Sequence, residues 1–224
     1  MRIIHYFTYR NQVRTHAFFD IIRRMRKNTI KVGTFEVNCT ILSWGDKAWI
    51  VDPGSEADRI AELLTKAGLS PEAILLTHAH FDHIGAIPGL QQKWHALPVY
   101  VHPADDMVLT HPLNSFPPDY PPIAKPTNIK DARTLSGNRG VEIIETPGHT
   151  PGGVCYHFAD EKILLSGDTL FCGSIGRTDL PGGDFATLKA SLAKLTALPD
   201  ETTVIPGHGV FTSIGCEKDS NPFL

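Results

Sequence analysis

The stretch Thr77-His78-Ala79-His80-Phe81-Asp82-His83 holds three imidazoles and a carboxylate within seven residues. Neutral imidazole nitrogen and carboxylate oxygen are ligand atoms suited to zinc, iron and manganese. In an extended segment, residues two apart point to the same side. His78 and His80 can therefore grip one ion together, while the adjacent Asp82 and His83 point differently and suit a second ion nearby. A lone histidine is ordinarily a surface or core residue, and the histidines at 5, 16, 95, 102, 111 and 157 are read that way. Four potential ligands in six residues after an apolar run reverse that expectation. The spacing also differs from the helical H-E-x-x-H arrangement, in which two histidines stand at i and i+4.

Three further candidates share one context. His149 follows an apolar run in "TPGHTPG", Asp168 follows another in "LLSGDTL", and His208 follows a third in "IPGHG". Glycine permits the sharp turns that would aim such side chains into a common space. Strand ends gathered on one rim would bring all seven groups together. Two ions about 3.5–4 Å apart would then be bridged by a carboxylate and a hydroxide, and Asp168 is the candidate carboxylate.

The elements needed to position these groups are legible in the periodicity. Segments 36–43 and 47–51, separated by Gly45-Asp46, are predicted to form a hairpin. Ser55 is a predicted cap for a helix over 56–67, with Ile60, Leu63, Leu64 and Ala67 on one face. The run 73–77 is predicted to be a buried strand that delivers the chain into the histidine cluster. A helix over 84–94 and a strand over 98–102 follow. Prolines at 112, 117, 118, 121, 122 and 126 exclude regular structure from 112–126. A loop of that length is predicted to cover or flank a site. Strand 141–146, a hairpin around Asp160-Glu161 and a strand over 202–209 complete the pattern. Asp184 is predicted to cap a helix bearing Leu188, Leu192 and Leu195. Strand-rich halves with amphipathic helices imply sheets covered by helices.

The 224 residues suit one domain, at 42% hydrophobic and 20% charged, with a net charge of −3. That balance excludes the strongly basic footprint of a nucleic-acid binder, and no apolar run approaches a membrane span. Cys39, Cys155, Cys172 and Cys216 form no C-x-x-C pair and are read as reduced thiols of a cytoplasmic protein. Residues 1–29 carry seven Lys/Arg and one acid, Asp20. They are read as a basic N-terminal extension that need not be ordered and has no catalytic role. Met25 would serve as an alternative start, and a transit peptide is the other reading. The domain is placed at 30–224. The oligomeric state is left open.

The T-H-x-H-x-D-H motif, followed in order by His149, Asp168 and His208, resembles the metallo-β-lactamase superfamily. "VDPG" (51–54), "PGHTPG" (147–152), "GDTLF" (167–171), "GSIGRTD" (173–179), "PGHG" (206–209) and the closing "NPFL" are similar to short, single-domain glyoxalase II-like hydrolases. The resemblance covers residues 30–224. It implies an α/β fold, a four-layer αββα sandwich with two divalent metals, zinc with iron or manganese as alternatives, at one edge of its sheets. His78, His80 and His149 would hold one ion, Asp82, His83 and His208 the other, and Asp168 would bridge them. Asp52 would orient a ligand. The implied reaction is hydrolysis of an acyl thioester, S-lactoylglutathione or a relative, by a metal-bridging hydroxide, with Asp82 as proton acceptor. Arg177 matches a basic residue that binds the glutathione carboxylate, and a structural ion pair with Asp179 is its other reading. The chain departs from the glutathione pattern at Asp179 and Val210, where the family tends to carry aromatic residues. The helical C-terminal domain has no counterpart in the 16 residues after His208. Persulfide dioxygenases share the same motifs and use one iron, held by the equivalents of His78, His149 and Asp168. A lactonase is a third reading.

Overall fold

The computed structural model describes residues 24–109, 111, 112 and 114–224. The first sheet has six strands in chain order: β1 (Arg26–Val32), β2 (Val37–Trp44), β3 (Lys47–Val51), β4 (Ser70–Leu75), β5 (Val99–Val101) and β6 (Ile129–Asp131). The second contains β7 (Val141–Glu145), β8 (Val154–Phe158), β9 (Ile163–Gly167), β12 (Thr203–Pro206) and β13 (Thr212–Ser213), in the order β13-β12-β9-β8-β7. A two-stranded ribbon, β10 (Leu170–Phe171) with β11 (Ser174–Ile175), lies between β9 and β12 in sequence. The helices are α1 (Ala57–Lys66), α2 (Phe81–Ile84), α3 (Ile87–Lys93), α4 (Asp106–Leu109), α5 (Phe185–Leu195) and α6 (Ile214–Ser220).

Strand alternation explains the layers, because successive side chains point to opposite faces of a sheet. Ile41, Ile50 and Ile74 point outward and pack with Ile60 and Leu64 of α1 and Ile87 and Leu90 of α3. Their neighbours Leu42, Trp49, Val51 and Leu75 point inward and meet Tyr156, Phe158, Leu165 and Ile205 of the second sheet. On that sheet's outer face, Cys155, Leu164 and Val204 pack against Leu188, Leu192 and Leu195 of α5 and Ile214 of α6. The result is four layers, helix–sheet–sheet–helix, with two outer cores and one central core.

Local chemistry modifies several expected boundaries. Residues 1–23 of the expected extension lie outside the described residues. From Arg26 onward the chain is β1, paired with β2 from Arg26↔Ser43 to Val32↔Val37. The ordered domain therefore begins upstream of residue 30. Charged residues that resemble a leader are also the composition of a protected sheet edge, and β1 is such an edge. Met25 packs in the central core. The helix expected over 84–94 is instead α2 and α3. Pro88, in the first turn of α3, lacks an N–H and would clash with the carbonyl four residues back, so one continuous helix cannot form. Ser55 does not cap α1. Glu56 precedes the helix at φ 59° with no side-chain cap bond. Its carboxylate accepts from Gly33 N at 2.7 Å and pairs with Arg59 at 2.7 Å. Asp184 does cap α5, accepting from Thr187 N at 2.7 Å. All four cysteines are free thiols, Cys39 and Cys155 buried, Cys172 and Cys216 exposed. No described helix is long and apolar enough to cross a membrane.

Strands β3, β4 and β5 run parallel, so their C-terminal ends share one edge of the first sheet. Strands β7, β9 and β12 likewise end together, because β12 is parallel to β9 and β7 is antiparallel to the intervening β8. Hydrogen bonds fasten the sheets at that edge: Val154 N to Thr77 O and Asn38 N to Gly207 O, each 2.8 Å. The Tyr156 hydroxyl donates across the central core to Leu76 O at 2.8 Å. Tyr156→Phe removes this bond while keeping the ring. It is expected to lower stability by about 1–2 kcal/mol, since a buried carbonyl loses its partner. Urea denaturation checks this, and an unchanged midpoint would show that the bond contributes nothing.

Candidate metal centre

Every candidate ligand lies just beyond the C-terminal end of a strand, at the shared edge. β4 leads to His78, His80, Asp82 and His83, β7 to His149, β9 to Asp168 and β12 to His208. The fold brings all seven into three overlapping groups: His78, His80 and His149; His78, His83 and Asp168; and Asp82, His83 and His208. Within each group, one ligand atom per residue lies within 4.8 Å of the others. Asp168 spans the groups. Its Oδ1 is 3.5 Å from His83 Nε2, and its Oδ2 is 3.5 Å from His149 Nε2 and 3.7 Å from His208 Nε2. Asp82 Oδ2 lies 3.2 Å from His208 Nε2 and 3.8 Å from His83 Nε2.

Outer contacts fix which nitrogen each ring presents. His149 Nδ1 lies 2.7 Å from Arg177 O, and His208 Nδ1 lies 2.8 Å from Phe35 O. A carbonyl can only accept, so both Nδ1 atoms carry protons, and in the neutral rings both Nε2 lone pairs face the cluster. Thr77 completes a relay: its hydroxyl donates to Asp52 Oδ2 at 2.7 Å, leaving a lone pair for His78 Nδ1 at 3.1 Å. Asp52 Oδ1 also accepts from Thr77 N at 2.8 Å. Asp52 Oδ2 lies 3.2 Å from His83 Nδ1, without a well-directed hydrogen bond. Asp52 is thus buried against both His78, through Thr77, and His83. Such outer contacts orient and tune metal-bound imidazoles.

The buried centre leaves polar atoms that no group among the described residues satisfies: His78 Nε2, both His83 nitrogens and Asp168 Oδ1. Buried polar atoms ordinarily have partners. His80 Nδ1 and His149 Nε2 also face each other at 2.9 Å. His149 has its proton on the far nitrogen, so its inner nitrogen offers a lone pair. A donor set of imidazoles and carboxylates with unsatisfied atoms turned inward fits divalent metal ions. Burial, then the neighbouring rings, pushes His78 well below the ordinary histidine range. Burial and then His149 lower His80 to about 3. Both rings are therefore neutral, the form that binds metal. Burial raises Asp82, but His83 and His208 outweigh it and bring the carboxyl to about 2. Burial lowers His83, and the charges of Asp82, Asp168 and Asp52 overcome this to lift it to about 10.

Glycine is required where backbone must approach a ligand. A Cβ on Gly207 would overlap Asp168 Oδ1 and stand 2.9 Å from His83 Cε1. A Cβ on Gly54 would overlap the carbonyl of Asp82. The "PGHG" and "VDPG" contexts thus have a steric origin.

Arg177 lies at the rim. Its guanidinium forms a two-pronged pair with Asp179, Nε to Oδ1 at 2.7 Å and a terminal nitrogen to Oδ2 at 2.8 Å. Its side chain faces solvent, while its carbonyl orients His149. His102 and His157 pair with Glu145 and Glu142, each at 3.0 Å, away from the cluster. His5 and His16 lie outside the described residues.

Three supports carried no signal in the sequence. Asn38, an amide within the buried strand β2, donates to Pro206 O at 2.9 Å and Gly209 O at 3.1 Å, holding the His208 loop. The buried Asp105 accepts from Ala79 N, Thr150 Oγ1 and Gly152 N. Asn114, in the proline-rich loop, accepts from Phe81 N and donates to Ala79 O, both at 2.8 Å. That loop flanks the ligand segment, with Phe116 5.4 Å from the Phe35 ring and 6.1 Å from the Phe81 ring. Among the described residues its one β-bridge pairs Phe116 with Tyr120. Asn114→Ala is expected to cost about 1–3 kcal/mol by leaving two backbone groups without partners. It should also speed proteolytic cleavage within 112–126. Cleavage at the wild-type rate would show that Asn114 does not anchor the loop.

The sequence pattern of the metallo-beta-lactamase superfamily matches residues 32–208. The chain is similar to the probable metallo-hydrolase YqgX of Bacillus subtilis (strain 168), with 42% identity over 207 residues, 89% of this chain and 98% of that protein. It is also similar to the hydroxyacylglutathione hydrolase GloC of Haemophilus influenzae, with 36% identity over 215 residues, 89% of this chain and 98% of that protein. Among solved structures, it resembles TTHA1623 in a di-iron-bound form, with a TM-score of 0.77 and 38% identity, covering 88% of this chain and 100% of the other.

Proposed function

Because this chain belongs to the metallo-β-lactamase superfamily, we propose that it is a thioesterase, hydrolysing S-lactoylglutathione or a related acyl thioester at a pair of divalent metal ions. The observation that carries this reading is Asp168, whose two oxygens face His83 on one side and His149 and His208 on the other. One carboxylate between two histidine groups is the arrangement needed to hold two ions side by side. His78, His80 and His149 would hold one ion, and Asp82, His83 and His208 the other. Zinc is proposed, and the same donors suit iron or manganese. The di-iron form of TTHA1623 and the name of GloC support the paired ions and the thioester.

Bound there, such ions supply a water with its pKa lowered to about 7 and a Lewis acid for the substrate carbonyl. The protein's own residues do the positioning. The carbonyls of Arg177 and Phe35 hold a proton on the outer nitrogen of His149 and of His208, so each neutral ring turns its inner lone pair to the cluster. Asp82, lowered to about 2, is ionised at neutral pH and can accept a proton. A carboxylate that acidic is a weak base, so holding charge is its larger contribution. A substrate carboxylate must compete with Asp179 for the fork of Arg177. This makes Arg177 a replaceable anchor and turns substrate selection over to the walls around the centre. The free thiols fit a cytoplasmic location.

Elemental analysis of the purified protein, with parallel assays on S-lactoylglutathione and glutathione persulfide, tests the reading. Two ions per chain and thioester turnover without oxygen uptake are expected. One iron per chain, with oxygen consumed on the persulfide and no thioester turnover, would replace the hydrolase by a dioxygenase. Turnover of lactones alone would move the substrate class.

A further inference from the structure

Asp105 is a fully buried carboxylate outside the ligand set. It follows β5, at the end of a single 3₁₀ turn, Pro103–Asp105. Three donors converge on it from two distant parts of the chain. Ala79 N donates to Oδ2 at 2.9 Å, Thr150 Oγ1 donates to Oδ2 at 2.9 Å, and Gly152 N donates to Oδ1 at 2.5 Å. Ala79 lies between His78 and His80, and Thr150 follows His149 directly. One carboxylate therefore joins the two segments that carry the tri-histidine group. None of its three partners belongs to the loops bearing Asp168 or His208. The fit is close: a Cβ on Gly152 would stand 2.7 Å from Asp105 N and 2.8 Å from its Cγ and Oδ1.

We infer that Asp105 is a positioning residue that sets the spacing between the His78/His80 segment and the His149 segment, and so selectively tunes the metal affinity of that half of the centre. The inference rests on the metal reading above. The physical reason is geometric. His78 and His80 ride on one loop and His149 on another; among the described residues no strand pairing joins the two loops, and the bond from Val154 N to Thr77 O ties them at their strand ends. Without the clamp the loops keep the bond from Val154 N to Thr77 O but lose the three bonds that fix their ligand-bearing residues against each other. A carboxylate suits the task because its two oxygens can accept several hydrogen bonds at once and donate none. Charge-assisted bonds of this kind are about twice as strong as neutral ones. Residues that support metal ligands typically tune affinity by about 10–100-fold.

The test titrates zinc into the metal-free full chain against a chromophoric chelator, comparing wild type with Asp105→Ala, Thr150→Val and Leu192→Ala. Leu192→Ala trims the outer core at α5 and controls for lost stability alone. Asp105→Ala is expected to weaken one of the two bound ions by about 10–100-fold while the other keeps its affinity. Thr150→Val removes a single bond of the clamp and is expected to weaken the same ion severalfold. A general loss of stability would instead weaken both ions together, as in Leu192→Ala. Asp105→Ala with both wild-type affinities, or with both falling in parallel, overturns the inference. If Asp105→Ala does not fold, Thr150→Val decides: a selective loss sustains the clamp and unchanged affinities overturn it. A wild-type chain that binds fewer than two ions defeats the metal reading itself, which is a separate result.

Discussion

Asp168→Asn should reduce the tightly bound metal from the proposed two ions per chain to one or none. It should also lower kcat/KM by more than about 100-fold, the upper end of what loss of a merely supporting residue costs at a metal site. The argument begins with shape. Asparagine fills almost the same volume, so the glycine-lined space beside Gly207 still accepts it. Its chemistry differs on both sides. It loses the negative charge, and one oxygen becomes an N–H₂ that only donates. In the folded protein Oδ1 faces His83 and Oδ2 faces His149 and His208. Whichever way the amide turns, one histidine group loses its carboxylate oxygen. Oδ1 has no hydrogen-bond partner among the described residues, so no network there would break to explain the loss. Elemental analysis and steady-state kinetics on folded variant check the result. Full metal content with near-wild-type kcat/KM would remove Asp168 from its bridging place.

Asp52→Asn carries the second large effect, and it separates charge from conformation. Asp52 has φ 49°, a left-handed backbone that asparagine tolerates as well as aspartate. The substitution therefore leaves the turn after β3 intact. What changes is the hydrogen bonding. Thr77 offers two donors, its N–H to Oδ1 and its hydroxyl to Oδ2. An amide accepts only one of them and turns its own donor toward the other. The metal-free protein is expected to lose about 1–3 kcal/mol, the usual cost of a buried donor left unsatisfied. The second effect concerns the ligands. The Thr77 hydroxyl, no longer directed at a carboxylate, ceases to be a fixed acceptor for His78, and His83 loses the negative charge beside its Nδ1. Metal affinity should fall by about 10–100-fold. Urea denaturation of the metal-free chain and chelator competition measure the two losses separately. Wild-type affinity in a destabilised Asp52→Asn would confine Asp52 to a structural role.

Much of the centre is legible in the sequence because ligand chemistry is local. The seven groups declare themselves by residue type and by their place after apolar runs, and glycine and proline mark the turns that redirect them. Several elements are equally readable, since Leu188, Leu192 and Leu195 fall on one helical face and short apolar runs bounded by turn residues mark the buried strands. Expectations failed where one local pattern fits two structures. The basic stretch from Arg26 to Thr29 reads as part of an extension ahead of the domain and forms the start of an edge strand, and Ser55 reads as a cap where Glu56 is recruited to the β1–β2 turn instead. Asp105, Asn38 and Asn114 were silent for a different reason. Each is a single polar residue with no spacing to a partner, and its meaning lies in the distant backbone it meets.

The sequence by itself determined which atoms are offered at the site and that each waits at the end of a strand. Only the tertiary structure decided how they are grouped. His80 and His149 are 69 positions apart and lie 2.9 Å apart, and Asp168 reaches His83, His149 and His208 at once. Those distances follow from two sheets packed face to face with their parallel strands ending at one edge. That packing is set by the whole distributed pattern of inward-pointing side chains, which no short motif contains.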